Sequence, residues 1–300
     1  MKWYRDRSLT EQFPLRYRMY ARYSALFGDE STRRVRGGTF LLRVLRSVSH
    51  ALRLSSITPI KGRDGLVVLA DFSDERILDV IHEIRGENKE YDVMCELLTE
   101  GDTFVDVGAN FGTFSLLASR LVGKNGRVIA LEPQPRLVNL LRESIELSGA
   151  RNCTVLEAAC GFAAGDAELY VPGDDSGRAG FFKSFSARRD HALVHVKRLR
   201  LDDLLPTLPL SGRTVLKVDV EGSELDVLNG ARELIAARRP ALIIELNPWS
   251  AAAAGTSPAA VIDAIEAMGY ESLATVESFP AIVSRGAIPL GRQLNLVALI

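Results

Sequence analysis

The stretch Thr103-Phe-Val-Asp-Val-Gly-Ala-Asn-Phe-Gly-Thr-Phe114 decides how this 300-residue chain is read. Residues 103–107 form an apolar run suited to a buried strand, and the glycines at 108 and 112 mark a turn into a helix. A second apolar run, Arg127-Val-Ile-Ala-Leu-Glu132, ends in an acid 20 residues past Gly112. Strand, glycine turn, helix and a second strand closed by an acid make a nucleoside-binding edge. The bare Cα atoms of Gly108 and Gly112 are expected to let a ligand approach the backbone. The Glu132 carboxylate is expected to accept hydrogen bonds from ribose hydroxyls.

Two cofactor classes compete for such an edge. A dinucleotide fingerprint reads G-x-G-x-x-G and rests a pyrophosphate on a helix N-terminus. Here the turn reads Gly108-Ala-Asn-Phe-Gly112, without the second and third glycines of that pattern. S-adenosylmethionine carries no phosphate, and its amino acid end asks for backbone carbonyls and a carboxylate, which Asp106 and the turn supply. An ordinary strand-turn-helix unit without a ligand is the bland alternative.

Downstream, Leu216-Lys-Val-Asp-Val-Glu-Gly-Ser-Glu224 is another apolar strand, closed by three acids around a glycine. Open α/β folds place their chemistry at the carboxyl ends of their strands. Buried unpaired carboxylates are costly, so Asp219, Glu221 and Glu224 point to a mouth facing a polar ligand, a metal or both. Capping of the following helix is the structural alternative for Glu224.

The combination of Val105-Asp-Val-Gly-Ala-Asn-Phe-Gly112, Glu132-Pro133 and Leu216-Lys-Val-Asp-Val-Glu-Gly-Ser-Glu224 resembles the FkbM-type S-adenosylmethionine-dependent methyltransferase family. Arg239-Pro-Ala-Leu-Ile-Ile-Glu245 and the closing Leu294-Asn-Leu-Val-Ala-Leu-Ile300 extend the resemblance over roughly residues 80 to 300. The resemblance implies a Rossmann-like methyltransferase fold, with a mainly parallel seven-stranded sheet and helices on both faces. It also implies O-methylation of a hydroxyl on a sugar, glycan or secondary metabolite. Asp106, Gly108, Ala109, Asn110, Gly112, Glu132 and Pro133 are the positions it implies for the cofactor. Glu87, ahead of Glu90-Tyr91, stands where relatives often carry a further glutamate near the cofactor.

Composition agrees with a large soluble α/β domain. At 47% hydrophobic and 25% charged, the chain can bury one large core. No apolar run approaches the ~20 residues of a membrane span, and Met-Lys-Trp-Tyr-Arg-Asp-Arg lacks the apolar region of a signal peptide. Cys95, Cys153 and Cys160 are odd in number and lack metal spacing, and read as buried free thiols in a reducing, cytoplasmic setting.

The net charge of −1 hides a division. Residues 1–63 hold 14 Lys and Arg against 4 Asp and Glu, a balance of +10 that leaves −11 for residues 64–300. This predicts a basic, helical N-terminal extension or cap over residues 1–63 and a methyltransferase domain over 64–300. Residues 13–23 and 40–54 carry apolar residues at near-helical spacing with Arg between them. Docking on the acidic domain is the bland reading. Contact with an anionic membrane face is the second, and nucleic acid, kept open by the interleaved aromatic residues, is the third.

Strands are expected at 103–107, 127–131, 153–157, 214–219, 241–246 and 294–300, and helices at 113–122, 134–148, 224–237 and 257–268. Ala251-Ala-Ala-Ala-Gly255 reads as a mobile link. Residues 172–190 read as a surface loop whose Phe181, Phe182 and Phe185 either close over a substrate or pin the loop. His195, in Leu193-Val-His-Val-Lys-Arg-Leu199, is either a solvated strand histidine or a base.

Methyl transfer to a hydroxyl needs positioning and removal of a proton. Asp219, Glu221 and Glu245 are candidates to act as base or to hold a divalent cation such as Mg²⁺. Of the two, the metal-free arrangement is preferred. A nucleic-acid base methyltransferase would want an Asn/Asp-Pro-Pro-aromatic turn after the fourth strand. Asn247-Pro-Trp249 follows the fifth and has one proline, so nucleic acid is disfavoured as substrate. A catalytically inactive binding module would be expected to erode the turn or the acidic strand end, and both are intact.

Overall fold

The described part of the computed structural model comprises residues 57–173, 175–182, 191–204, 206 and 211–300. The expected helices at 13–23 and 40–54, and Phe185, lie outside it. Within this part, Pro59–Ala70 and Asp74–Ile300 form one compact unit.

Five apolar runs make a parallel sheet: β3 (Thr103–Val107), β4 (Arg127–Leu131), β5 (Cys153–Leu156), β9 (Thr214–Val218) and β10 (Ala241–Leu246). β11 (Ser272–Thr275) and β12 (Leu294–Leu299) complete it in the order β11-β12-β10-β9-β3-β4-β5. β12 runs antiparallel to both neighbours. The connection reverses direction between β3 and β9, which opens a crevice at their carboxyl ends. This is the Rossmann-like methyltransferase arrangement.

Alternation along each strand loads both faces. Val105, Val107, Leu216, Val218, Leu242 and Ile244 join one core with α5 (Glu224–Asn229), α6 (Arg232–Arg238) and α8 (Pro258–Ala267). On the other face Ala130 packs with Ala109 and with Leu141 of α4 (Pro135–Ser148). Phe104 and Asp106 occupy the alternate positions of β3, beside α3 (Thr113–Leu121).

Helices α1 (Ile77–Ile84) and α2 (Lys89–Leu97) precede the sheet and pack on α3. Before them, β1 (Ile57–Lys61) and β2 (Val67–Asp71) form a hairpin whose turn holds the expected 63/64 boundary. Ser144 and Ser148 of α4 accept the Leu69 and Val67 amides at 2.8 and 2.9 Å, tying β2 to the sheet's helical layer.

A second sheet stands where a long loop begins. β7 (Gly165–Pro172) and β8 (His191–Leu199) pair antiparallel, and β6 (Ala159–Cys160) runs parallel to β8.

The single helix expected over 224–237 is two, because Gly230 lies against the Gly161 carbonyl; a Cβ at Gly230 would stand 2.1 Å from that oxygen. Residues 251–255 are no mobile link. Asn247 caps a short helix, α7 (Pro248–Ala253), accepting from the Trp249 and Ser250 amides, and Pro248 and the alanines favour that helix. The cysteines are free, with Cys160 buried but Cys95 exposed on α2. No helix among the described residues is long and apolar enough to cross a membrane.

Candidate active site

The turn after β3 enters the left-handed region at Gly108 (φ 87°), Asn110 (φ 52°) and Gly112 (φ 79°). Its two glycines do different work. A Cβ on Gly108 would sit 1.9 Å from the Asp219 carbonyl oxygen, so the bare Cα lets the turn lie against the end of β9. A Cβ on Gly112 would sit 2.1 Å from Cδ1 of Leu141, so this glycine admits α4 rather than a ligand. Gly108 and Asn110 line a pocket at the crevice, together with Glu132, Pro133 and Gln134. Ala109 is buried in the core and Asp106 lies wholly beneath the turn, so neither meets the pocket directly. Ser115 Oγ donates to Asp106 Oδ2 at 2.6 Å, while Asp106 Oδ1 is buried without a partner.

Both oxygens of Glu132 are held by backbone. Asn110 N–H donates to one at 2.8 Å and Gln134 N–H to the other at 2.9 Å. Burial nonetheless pushes the Glu132 carboxyl up to about 7, against these two donors. A carboxylate fixed in this way at the end of β4 has lone pairs left that could accept from a ligand's hydroxyls.

A short segment covers the crevice. Ser176 N–H donates to both oxygens of Asp74, at 3.3 and 3.2 Å, and its carbonyl accepts from Gln134 Nε2 at 3.1 Å. Gly177, Gly180 and Phe181 of the same segment line the pocket.

Opposite Glu132 the pocket wall is acidic. Asp219 and Glu221 line it, and ligand atoms of Asp219, Glu221 and Glu245 all lie within 4.8 Å of one another. Burial alone would raise Asp219, but the charges of Lys217 and Arg76 reverse this and hold its carboxyl below the usual range. Lys217 Nζ donates to Asp219 Oδ2 at 2.9 Å. Glu221 goes the other way, raised well above the usual range by burial and then by Asp219 and Glu224. Its backbone is left-handed (φ 52°), unusual for a glutamate. Glu245, also raised by burial, is gripped through Oε1 by Gln293, while Oε2 is buried without a partner. Glu224 accepts the Gly222 and Val220 amides at 3.0 and 3.3 Å, closing the turn before α5.

Two candidates lie apart from this cluster. His195 is on an exposed face of β8, its side chain 80% accessible and 3.9 Å from Glu168. Strand alternation points Val196 inward and leaves its neighbour in solvent. Glu87 follows α1 and is exposed, 3.3 Å from His82 Nδ1. Other acids from its neighbourhood act on the site instead: Glu83 is buried and holds Arg76 and Thr113, and Glu90 is raised to about 7 by burial close to Lys217.

Arg76, Gln134 and the role of Lys217 were not read from the sequence, whereas the covering segment at Ser176 lies within the loop expected over 172–190. Only Lys217 had a local signal, as a lysine in an otherwise apolar strand.

The sequence matches the Methyltransferase FkbM domain over residues 106–272. It is 27% identical to the hexuronic acid methyltransferase AglP of Haloferax volcanii, covering 60% of this chain and 70% of that one. Methyltransferase 1 of Beauveria bassiana is 29% identical, over 59% of this chain and 76% of its own. A protein-L-isoaspartate O-methyltransferase of Methanococcoides burtonii is 38% identical over 73 residues, which span only 36% of its length. The solved structure of the FkbM methyltransferase from Methylobacillus flagellatus overlaps 85% of this chain and 60% of its own, at 18% identity and a TM-score of 0.42.

Proposed function

This chain belongs to the FkbM methyltransferase family, and we propose that it transfers a methyl group from S-adenosylmethionine to a hydroxyl oxygen of a sugar, glycan or related metabolite. The observation that carries this reading is one pocket with two unlike ends. A backbone-clamped Glu132 stands at one end, and the carboxylates of Asp219 and Glu221 stand at the other.

The residues fit the cofactor. Glu132 would hold the ribose hydroxyls, Pro133 and Ala158–Cys160 would flank the base, and the turn at Gly108 would pass beneath the sulfonium region. When bound, the cofactor supplies a methyl carbon whose bond to sulfur breaks as the acceptor oxygen attacks it, the bonding pair staying on sulfur. Glu221 is the base in this reading: it lines the pocket, and burial beside Asp219 and Glu224 raises its pKa, which makes its carboxylate a stronger proton acceptor. Asp219, held ionised by Lys217 and Arg76, would orient rather than accept the proton. Phe181 and the segment around Ser176 would exclude water from the reacting atoms.

The hexuronic acid methyltransferase among the relatives supports a sugar acceptor. The test is incubation with labelled S-adenosylmethionine and a panel of neutral and acidic sugars, using wild type and Glu221→Gln. Transfer to oxygen that drops about 10²- to 10⁴-fold in the variant, with cofactor affinity kept, is expected. Cofactor binding without transfer to any acceptor would favour an inactive binding module. Transfer to nucleic acid would replace the acceptor class.

One observation favours a second arrangement. Asp219, Glu221 and Glu245 converge, and Glu245 Oε2 is buried without a partner, so these three would hold a divalent cation that lowers the pKa of the acceptor hydroxyl. Loss of turnover in chelator, restored by Mg²⁺, would select it. The basic residues 1–63 are proposed to place the enzyme against an anionic membrane face, and cytoplasmic residence goes with that reading. Vesicle flotation that is unchanged by Arg43→Gln, Arg46→Gln and Arg53→Gln together would remove the membrane contact.

A further inference from the structure

Among the described residues that line the pocket Arg76 is the only cation, and it stands beside Asp219 and Glu221. Its backbone is fixed from two directions. Asp74 Oδ1 accepts the Arg76 amide at 3.0 Å, and the same carboxylate accepts Ser176 N–H from the covering segment. Arg76 Nη2 donates to Glu83 Oε1 at 2.5 Å, and Thr113 Oγ1 donates to the other oxygen of Glu83 at 2.5 Å, which pins the guanidinium to α3. The stem lies against Gly177, where a Cβ would come within 2.5 Å of Arg76 Cδ. This side chain is held from its backbone to one tip of its fork.

Among the described residues, Nη2 is the one nitrogen of the fork with a hydrogen bond. Nε is buried and has no hydrogen-bond partner, and 23% of the side chain remains open. An unmet guanidinium donor in a largely buried setting is costly unless a ligand meets it. Planar anions with two oxygens match this fork best. Next to it on the pocket wall stand the carboxylates of Asp219 and Glu221. A cation beside two anions complements a zwitterion, carboxylate to Arg76 and ammonium to the acids. An α-amino acid is such a zwitterion.

We propose that Arg76 binds the carboxylate of the methionine portion of S-adenosylmethionine, with Glu83 and Asp74 as its positioning residues. This rests on the cofactor reading given above. It assigns the two ends of the pocket to the two ends of one ligand, with Glu132 at the ribose and Arg76 at the amino acid. The segment that carries Ser176 and Gly177 then closes over the amino acid end, since Asp74 ties it to Arg76.

The test uses S-adenosylmethionine and decarboxylated S-adenosylmethionine, which keeps the sulfonium and the ammonium but lacks the carboxylate. Calorimetric titration of the full chain is expected to give at least 30-fold weaker binding of the decarboxylated compound. In Arg76→Gln/Glu83→Gln, which removes cation and counter-ion together, S-adenosylmethionine is expected to fall to the level of the decarboxylated compound. The decarboxylated compound itself is expected to shift less than threefold. Arg76→Lys, which keeps the charge but loses the fork, is expected to fall between. Equal affinities of the wild type for both compounds would overturn the proposal. So would an equal loss of both in the double variant, which marks a purely structural role. Unchanged cofactor affinity in the double variant, with turnover lost only on a carboxylate-bearing sugar such as glucuronate, would also overturn it by giving the cation to the acceptor. Failure of the wild type to bind either compound would instead overturn the cofactor reading itself, and this assignment with it.

Discussion

Lys217 Nζ lies 2.9 Å from Asp219 Oδ2 and 4.8 Å above the ring of Phe114. The ammonium is almost fully buried, its side chain 4% accessible, and Lys217 pairs in register with Asp106 across β3 and β9. Burial disfavours its charge, but Asp219, Asp106 and Glu90 keep it protonated. One cation thus serves acids from three elements, and removing it would strand all three. Lys217→Met is expected to destabilise the fold by about 3–5 kcal/mol, the usual result of breaking a buried ion pair from one side. Urea titration checks this. A loss below about 1 kcal/mol would show that the acids take up protons and need no lysine.

With Glu132 at the ribose, as proposed, cofactor affinity takes a pH dependence with a definite sign. In the free protein its carboxyl is raised to about 7 by burial. Ribose hydroxyls donate to the ionised form, so binding favours proton release. Affinity for S-adenosylhomocysteine is therefore expected to be flat above about pH 8 and to fall tenfold per pH unit well below 7. Glu132→Gln should lower affinity on the order of tenfold to a hundredfold, and should flatten the profile. A profile unchanged by the substitution would assign the titration elsewhere.

The same burial acts on stability. Glu90, Glu132 and Glu224 are all raised to about 7 by burial, from an ordinary value of 4.5. Between 4.5 and 7 the folded protein keeps protons that the unfolded chain has released, so stability falls as pH rises through that window. Each tenfold separation in acidity is worth about 1.4 kcal/mol per group. The ligand-free protein is expected to melt several degrees higher at pH 6 than at pH 8. The stabilisation gained from the cofactor should be larger at pH 8, where Glu132 is already ionised. Scanning calorimetry in matched buffers reads both, and a melting point that rises with pH would contradict this account.

Gly108 and Gly112 separate by what they face. Gly108→Ala meets backbone, the Asp219 carbonyl at 1.9 Å, and is expected to abolish cofactor binding. Gly112→Ala meets only the tip of Leu141, so Leu141→Ala should relieve part of its cost. The left-handed backbone at 112 leaves a residual penalty of about 1 kcal/mol. A double-mutant cycle with a coupling of at least about 0.5 kcal/mol is expected. Strict additivity would mean that the contact with α4 is not what the glycine is for.

Much of this fold was legible because periodicity is local. Thr103–Val107 is an almost continuous apolar run, and that local pattern marks β3 as a buried strand. β11 is four residues long, and the β1–β2 hairpin and α1 precede any motif, so they escaped notice. In the site, Glu132 and Asp219 were legible because each closes an apolar run. Arg76 was not, since its relation to Asp219 exists only through the packing of α1 on α3 and the path of the sheet. Glu87 rested on the family resemblance, whereas burial selects Glu83, on the packed face of α1. His195 showed correct alternation but sits on the wet face.

Trp249 lies in α7. Its side chain is 61% exposed, although it starts a helix beside the acidic mouth. Asn247 links the two: its Oδ1 accepts the Trp249 amide at 3.1 Å and its Nδ2 donates to Glu221 Oε2 at 3.4 Å. Under the proposed reading, in which Glu221 is the base for a hydroxyl, the exposed indole beside it is suited to pack against the apolar face of a sugar ring. Trp249→Ala is therefore expected to raise the acceptor KM up to about tenfold, leaving kcat and cofactor affinity within twofold. Trp249→Phe should recover most of the loss. A kcat effect without a KM effect would mean that the substitution disturbs Asn247 and Glu221 instead, and the indole would then have no part in holding the acceptor.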